Sequence, residues 1–218
     1  MRRFWSGFIA FVLIGLLVGV LVLKYKHNLE YNAISVQKSV VEKTFLNYKK
    51  PVLEASKTYD LPPAYLLSLI VLESSGRKIV PQRYENHIFK KLDAVARSKQ
   101  NAMEGITASD LKGMTDGELM KLASSWGPFQ IMGYKSFEID CDVEELQGKK
   151  AVMHGAKWIN INYGDQLRAG ELKHAFHIHN TGRPYPAIGG PKTYHKDYVP
   201  KGLKYVAEFE TLLAENKL

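Results

Sequence analysis

The sequence predicts a mainly α-helical protein, with a single N-terminal transmembrane helix followed by an α-rich domain that contains at most a small β-hairpin, near residues 77–90. Three observations lead to this fold class. Residues 4–23 form an uncharged apolar run, apolar residues recur at helical spacing through the rest of the chain, and Gly- and Pro-rich stretches separate these segments. Hydrophobic residues make up 45% and charged residues 24% of the 218 residues, which is typical of a folded protein.

The apolar run at 4–23 is long enough to cross a bilayer, because a helix of this length spans about 30 Å. Basic residues flank it on both sides. A cleaved signal peptide is the rival interpretation, but its apolar region is shorter and ends in small residues. We therefore expect a membrane anchor over residues 1–26 that contacts the lipid bilayer through 4–23. Gly15 and Gly19 would allow two anchors to pack as a dimer.

The net charge of +8 does not indicate a nucleic-acid-binding protein, because of where the charge lies. Residues 1–50 carry eight basic and two acidic side chains, whereas the remaining 168 residues carry 22 basic and 20 acidic ones. The body of the protein is nearly balanced and holds no recognised nucleic-acid motif. The single cysteine, Cys141, excludes an intramolecular disulfide framework.

We interpret residues 27–50 as an amphipathic stalk helix. The reason is an apolar stripe at helical spacing, formed by Ile34, Val41, Phe45 and Tyr48. Pro51 is placed at the first turn of the next helix, so the globular domain is expected over 51–218. Within it, the almost wholly apolar segment 64–73 predicts a buried central helix. A capping box at 115–118 predicts the start of another helix.

The candidate chemistry centres on Glu73, at the C-terminal end of that central helix and before the helix stop Gly76. Apolar neighbours and the negative end of the helix dipole both favour the protonated carboxyl. A protonated carboxylic acid can donate its proton to the leaving oxygen of a glycosidic bond. The alternative is an ordinary glutamate, exposed in a frayed last turn.

Three other segments carry the aromatic and amide side chains that a sugar groove needs. They are RYENHIF at 83–89, which contains Glu85, SSWGPFQIMGY at 124–134, and HIHNTGRP at 177–184. The side chains expected to contact a sugar are Ser75, Trp126, Gln130, Met132, Tyr134, His179 and Asn180.

Three segments in order resemble the motifs of the lysozyme-like lytic transglycosylases: VLESSG at 71–76, WGPFQIMG at 126–133 and HNTG at 179–182. The segments at 83–89 and 124–134 also resemble the N-acetylmuramidase domain of phage endolysins, in the same superfamily. This resemblance, over about residues 51–215, implies cleavage of the β-1,4 bond between N-acetylmuramic acid and N-acetylglucosamine in peptidoglycan. It implies that Glu73 is the general acid/base and that Gln130 and Asn180 line the groove. The alternatives are an amide that braces its own loop for Gln130 and a helix cap for Asn180.

Two departures from the family pattern affect the expected product. His179 stands where the family usually has tyrosine, and an insert at about 93–123 separates the first two motifs. A lytic transglycosylase needs one acid/base, whereas a hydrolase normally uses a second carboxylate. Glu85 is the candidate for that second role, and an ion pair with Arg83 is the alternative.

No cofactor and no metal are expected. His174, His177 and His179 lack an acidic partner at zinc spacing, so we interpret them as polar residues around a groove edge. The acidic run at 138–145 lacks the glycine and spacing of a calcium loop. Cys141 within that run is interpreted as a free thiol.

Peptidoglycan lies outside the cytoplasmic membrane, so the expected topology is a cytoplasmic N-terminus with the domain on the exoplasmic or periplasmic side. The same domain in the internal membrane of a virion would open the wall during entry. Phage lysis and bacterial wall remodelling are further contexts that the sequence leaves open. A catalytically inactive peptidoglycan-binding scaffold is the competing function.

Overall fold

The computed structural model describes residues 39–215. The predicted membrane anchor at 1–26, its glycine pair and residues 27–38 of the predicted stalk lie outside the described residues. Within 39–215, no helix has both the length and the apolar composition that crossing a membrane would require.

The described part of the chain is mainly helical, as the sequence predicts. Its α-helices are α1 (Val40–Tyr59), α2 (Pro63–Ser74), α3 (Asn86–Ala96), α4 (Asp116–Leu122), α5 (Ser136–Ile139), α6 (Ala151–Arg168), α7 (Leu172–Thr181) and α8 (Tyr198–Glu215). Its short strands are β1 (Arg83–Tyr84), β2 (Ala102–Met103), β3 (Ile106–Thr107), β4 (Ser124–Trp126) and β5 (Ile131–Met132). Three 3-10 turns, Gly133–Lys135, Val143–Leu146 and Gly148–Lys150, lie between β5 and α6.

Helix α2 is the centre of the core, which confirms the prediction for segment 64–73. Tyr65, Leu66, Leu67, Leu69 and Ile70 are all fully buried, because the helix has no polar face to turn towards water. Helices α1 and α8 pack against it, and α6 and α7 complete the same core.

Helix α1 continues through Pro51, so the expectation that this proline starts a new helix is wrong. Phe45, Tyr48, Val52 and Ala55 are buried along one face of this single helix. Pro51 has no backbone N–H, so one hydrogen bond of the helix is missing at this point. The contacts of these buried side chains with the core keep the helix continuous there. Residues 40–50 therefore belong to the globular unit.

The small β-hairpin predicted near residues 77–90 is not formed there. Strand β1 instead pairs antiparallel with β4, which pairs with β5, giving a three-stranded sheet in the order β1-β4-β5. A separate hairpin, β2-β3, lies within the insert. The segment 83–89 is strand-like in sequence, but only 83–84 form a strand, and 86–89 begin α3. The partner of this strand lies about 40 residues away, so no local pattern predicts the pairing.

The insert at 93–123 builds a second, smaller core. Leu92, Val95, Met103 and Ile106 are buried there with residues of α4, whose capping box forms as predicted. The Thr115 hydroxyl accepts from the Glu118 amide, and the Thr115 amide donates to the Glu118 carboxylate at 2.7 Å. This second core supports one end of the three-stranded sheet.

Candidate active site

Glu73 lies in the last turn of α2, where the chain leaves the core abruptly. Ser75 caps the helix in the left-handed conformation (φ 53°), and Gly76 follows with φ 64°. A Cβ on Gly76 would lie 2.0 Å from the Thr44 hydroxyl, so only glycine fits this close approach to α1. The abrupt exit leaves the Glu73 side chain at the edge of the core with 18% of its surface exposed. The alternative of a fully solvated residue in a frayed turn is wrong.

The contacts of the Glu73 carboxylate come from neutral side chains. The Tyr198 hydroxyl of α8 donates a hydrogen bond to Oε1, and Nε2 of His179 lies 3.8 Å from the same oxygen. Burial, together with the charge of Glu73, raises the pKa of Tyr198 well above its usual value, so Tyr198 remains a donor. Within residues 39–215, no lysine or arginine is within ion-pair distance of Glu73.

The two oxygens of Glu73 therefore have different roles. Oε1 accepts from Tyr198, whereas Oε2 makes no hydrogen bond to the described residues and remains in contact with solvent. When this carboxyl carries a proton, the proton belongs on Oε2, because Oε1 is already an acceptor.

His179 is held as a neutral imidazole in one tautomer. Its Nε2 donates to the carbonyl of Phe129 at 3.1 Å, and its Nδ1 accepts from the Tyr163 hydroxyl at 2.7 Å. Burial lowers the pKa of His179 although Glu73 opposes the shift, and burial raises the pKa of Tyr163 well above its usual value. A kink in α6 at Tyr163 (φ −158°, ψ 25°) accompanies this contact. The ring presents no charge to Glu73.

A groove of about 660 Å³ opens beside His179. Four of the predicted sugar-contacting residues line it with His179: Gln130, Met132, Tyr134 and Asn180. A smaller depression of about 290 Å³ includes Tyr198 in its lining. Glu73 itself is in the lining of neither depression, but one lining residue of each, His179 and Tyr198, contacts its carboxylate. A further cavity of about 620 Å³, between α1 and the Gly148 turn, contains none of the predicted site residues.

The Gln130 side chain also braces its own loop. Its Oε1 accepts from the Ser125 hydroxyl at 2.9 Å, and its Nε2 donates to the Gly127 carbonyl at 3.0 Å. Its backbone is left-handed (φ 50°). Since each amide atom has one further hydrogen-bonding position, this role is compatible with a ligand contact from the groove.

Two of the predicted sugar-contacting residues lie elsewhere, and this corrects those expectations. Trp126 is only 4% exposed, because β4 is the central strand of the sheet; its indole N–H donates to the Lys121 carbonyl at 2.9 Å. The ring therefore packs in the core and cannot stack on a sugar. Ser75 is exposed at the helix cap and is outside the groove lining.

Glu85 forms the ion pair that the sequence offered as its alternative role. Its carboxylate lies 2.9 Å from Nε of Arg83 and 3.7 Å from Nδ1 of His87, and it is outside the groove lining. The residue also begins α3, with its amide bonded to the Ala123 carbonyl at 2.9 Å. Its catalytic role stays a prediction.

Sequence reasoning missed a different carboxylate, Glu104, which the insert brings to the groove. Its oxygens accept from the Tyr134 hydroxyl at 3.0 Å and pair with Lys135 at 2.7 Å. Burial alone would raise its pKa, but the hydrogen bonds from Lys135 and Tyr134 outweigh this and lower the pKa of Glu104. Nothing local distinguishes this glutamate from other acidic residues of the insert.

Trp158 and Asn162 of α6 also line the groove and were missed. Both hydrogen-bond to Glu138, the indole at 3.0 Å and the amide at 2.8 Å. They are four residues apart and so share one helix face, beside the buried stripe. That spacing is the signal that could have found them.

The other two histidines of α7, His174 and His177, form hydrogen bonds with the loop that follows the helix. His177 donates from Nδ1 to the Arg183 carbonyl at 2.7 Å and accepts at Nε2 from the Lys192 amide at 2.9 Å. Nδ1 of His174 accepts from the Tyr185 amide at 3.1 Å. These bonds fix residues 183–192 against α7.

No protein-family model, curated protein or solved structure matches this chain at a significant level. The case for a function therefore depends on the residues and geometry described above.

Proposed function

We propose that this protein is a peptidoglycan glycosidase of the lysozyme-like class, with Glu73 as its general acid/base. The observation that carries the proposal is the environment of Glu73: a largely buried carboxylate with neutral partners, whose second oxygen is open to solvent. A carboxyl without a cationic partner is suited to act as the single acid/base that a glycosidic cleavage of this kind needs.

The surroundings of Glu73 support a carbohydrate polymer as substrate. The groove combines the amides of Gln130, Asn180 and Asn162 with the rings of Tyr134 and Trp158. Amides orient sugar hydroxyl and acetamido groups, and rings cover the apolar sugar faces. His179 lines the groove and Tyr198 lines the smaller depression, and both side chains contact Glu73. Two depressions beside one carboxylate suit a glycan chain that continues past the bond to be cleaved.

The proposed reaction is that of a lytic transglycosylase. Glu73 donates its proton to the glycosidic oxygen as the bond from muramyl C1 to that oxygen breaks. The resulting carboxylate accepts the proton of the muramyl C6 hydroxyl, whose oxygen attacks C1 and closes a 1,6-anhydro ring. One carboxylate completes this cycle and no water is consumed. The ion pair of Glu85 with Arg83 favours this route over one that needs Glu85 as a second catalytic group.

A hydrolytic muramidase is the second candidate, and one observation favours it. Glu104 lines the groove with its pKa lowered, so it is ionised at neutral pH and able to orient a water molecule. In that reaction water attacks C1 in place of the C6 hydroxyl, and the product keeps a reducing muramic end.

We place the enzyme at a membrane through residues 4–23, with its domain on the exoplasmic or periplasmic side, where peptidoglycan lies. The support for this placement is the apolar run and its flanking basic residues. Local opening of the wall by a phage or bacterium is the role that such an anchored glycosidase would serve.

The test compares the full-length protein in detergent with its Glu73→Gln variant on purified peptidoglycan, with mass spectrometry of the released muropeptides. Glu210→Gln, on an exposed face of α8, is the matched control. We expect 1,6-anhydro products from the wild type and the control and none from Glu73→Gln. Products heavier by one water would establish the muramidase instead. A folded wild type that binds peptidoglycan and releases nothing would leave only the scaffold function.

A further inference from the structure

Three different ligand types converge between α5 and α6, away from the predicted sugar-contacting residues. The Cys141 thiol follows α5, Glu145 lies in the 3-10 turn Val143–Leu146, and His154 projects from α6. Each residue offers one ligand atom: a sulfur, a carboxylate oxygen and an imidazole nitrogen. These three atoms all lie within 4.8 Å of one another. They come from three elements, so tertiary packing brings them together.

The His154 ring faces this cluster. Its Nε2 is a buried atom, and the His154 side chain as a whole is 19% exposed. Oε2 of Glu145 lies 3.2 Å from this nitrogen, at ion-pair distance. The nitrogen and the carboxylate oxygen therefore point at each other, and a bound metal ion would take both as ligands.

The two oxygens of the Glu145 carboxylate have different partners. Lys150 pairs with Oε1 of Glu145, which leaves Oε2 directed at His154. The Cys141 sulfur lies beside this carboxylate, within 4.8 Å of the other two ligand atoms.

We propose that Cys141, Glu145 and His154 bind one Zn²⁺ ion, with water as the fourth ligand. Thiolate, imidazole and carboxylate are the ligands that zinc takes in proteins, and zinc tolerates such a mixed set in tetrahedral geometry. The proton of the Cys141 thiol passes to solvent when the Zn–S bond forms, and no electron is transferred.

The ion would pin the segment 141–145 to α6. His154 precedes Trp158 by one helical turn, and Trp158 lines the groove. The zinc site therefore braces the helix that forms one wall of the candidate active site. This structural role does not depend on Glu73 or on glycan cleavage.

The experiment titrates tag-free, full-length protein with Zn²⁺ in the presence of a competing chelator and a phosphine reductant. Cys141→Ser, His154→Gln and Glu145→Gln each remove one ligand. Asp142→Asn changes an exposed acidic neighbour and is the matched control. Co²⁺ is the second probe, because a thiolate-to-cobalt charge-transfer band reports the sulfur ligand directly.

We expect one Zn²⁺ per chain and a loss of affinity of at least about 100-fold in each ligand variant, since even outer-shell changes cost about 10–100-fold. Asp142→Asn should keep the wild-type affinity, and only proteins with Cys141 should show the charge-transfer band. The apparent Tm of the wild type should rise with Zn²⁺, and that of Cys141→Ser should not.

Failure to bind Zn²⁺ stoichiometrically would overturn the proposal, as would unchanged affinity in Cys141→Ser or His154→Gln. If one ligand variant does not fold, the cobalt spectrum of the wild type and the other two variants decides the matter. The readouts are metal affinity, absorption and stability, so their outcome is independent of whether the protein cleaves peptidoglycan.

Discussion

Glu73 and Glu85 are similarly shielded from water, yet their surroundings fit them for opposite tasks. The Glu73 side chain is 18% exposed and the Glu85 side chain 24%. Glu73 contacts a phenol and a neutral imidazole, whereas Glu85 contacts the guanidinium of Arg83. Exposure alone therefore does not distinguish the two carboxylates, whereas the charge of their partners does.

The largest expected effect is the loss of the acid itself. Glu73→Gln should lower the rate of muropeptide release by about 10²–10⁴-fold, because an amide has no acidic proton to give the glycosidic oxygen. Initial rates on purified peptidoglycan measure it, with Glu210→Gln as control. If the variant retained a tenth or more of the wild-type rate, Glu73 would not be the acid.

Glu73 and Glu85 can each be tested by removing the nearest partner of the carboxylate. Tyr198→Phe deletes the hydroxyl that holds Oε1 of Glu73, and we expect about a 10- to 100-fold lower kcat with little change in KM, since a hydrogen bond to a charged group contributes about 1.5–3 kcal/mol. Arg83→Gln removes the partner of Glu85. Equal losses of kcat in Tyr198→Phe and Arg83→Gln would contradict the distinction between Glu73 and Glu85.

The rigidity of the Glu73 surroundings can be tested through Gly155. A Cβ there would lie 2.3 Å from Cδ2 of Phe129, whose carbonyl fixes His179. Gly155→Ala should reduce the free energy of unfolding by about 1–3 kcal/mol through overpacking. Gly190→Ala, where a Cβ meets nothing within 4 Å, is the control in urea denaturation. Comparable stability of the two variants would mean that this contact is readily relieved.

The neutrality of His179 predicts a pH dependence. Burial lowers its pKa in the folded protein, so below about pH 6.5 the unfolded chain binds a proton that the folded protein does not. Its contribution to stability is full above that pH and declines as pH falls towards the folded pKa. The free energy of unfolding should thus fall more steeply with acid in the wild type than in His179→Gln. Parallel curves would show that the histidine does not titrate differently on folding.

The smallest effect is expected at Glu85. Glu85→Gln breaks a partly exposed ion pair, which contributes up to about 1 kcal/mol, so muropeptide release should stay within about fivefold of the wild type. Product masses measured alongside the rate provide the decisive check. A loss of 100-fold would assign Glu85 a catalytic role.

Local sequence patterns were sufficient for the elements nearest to Glu73. An unbroken apolar segment ending in Glu-Ser-Ser-Gly can only be a buried helix that stops there, and α2 is that helix. Gln130, Met132, Tyr134, His179 and Asn180 were predicted together and share one groove. The capping box is equally local, because it is determined by Thr115 and Glu118, three positions apart.

Periodicity and capping act over a few residues, so the local sequence is enough to predict the mainly helical class of the described domain and the position of Glu73 at the end of α2. The surroundings of that carboxylate depend on tertiary packing. Tyr198 reaches Glu73 across 125 residues, Glu104 enters the groove on an insert, and Cys141 meets His154 between two elements. The packing of the whole core fixes such contacts, so no local pattern records them.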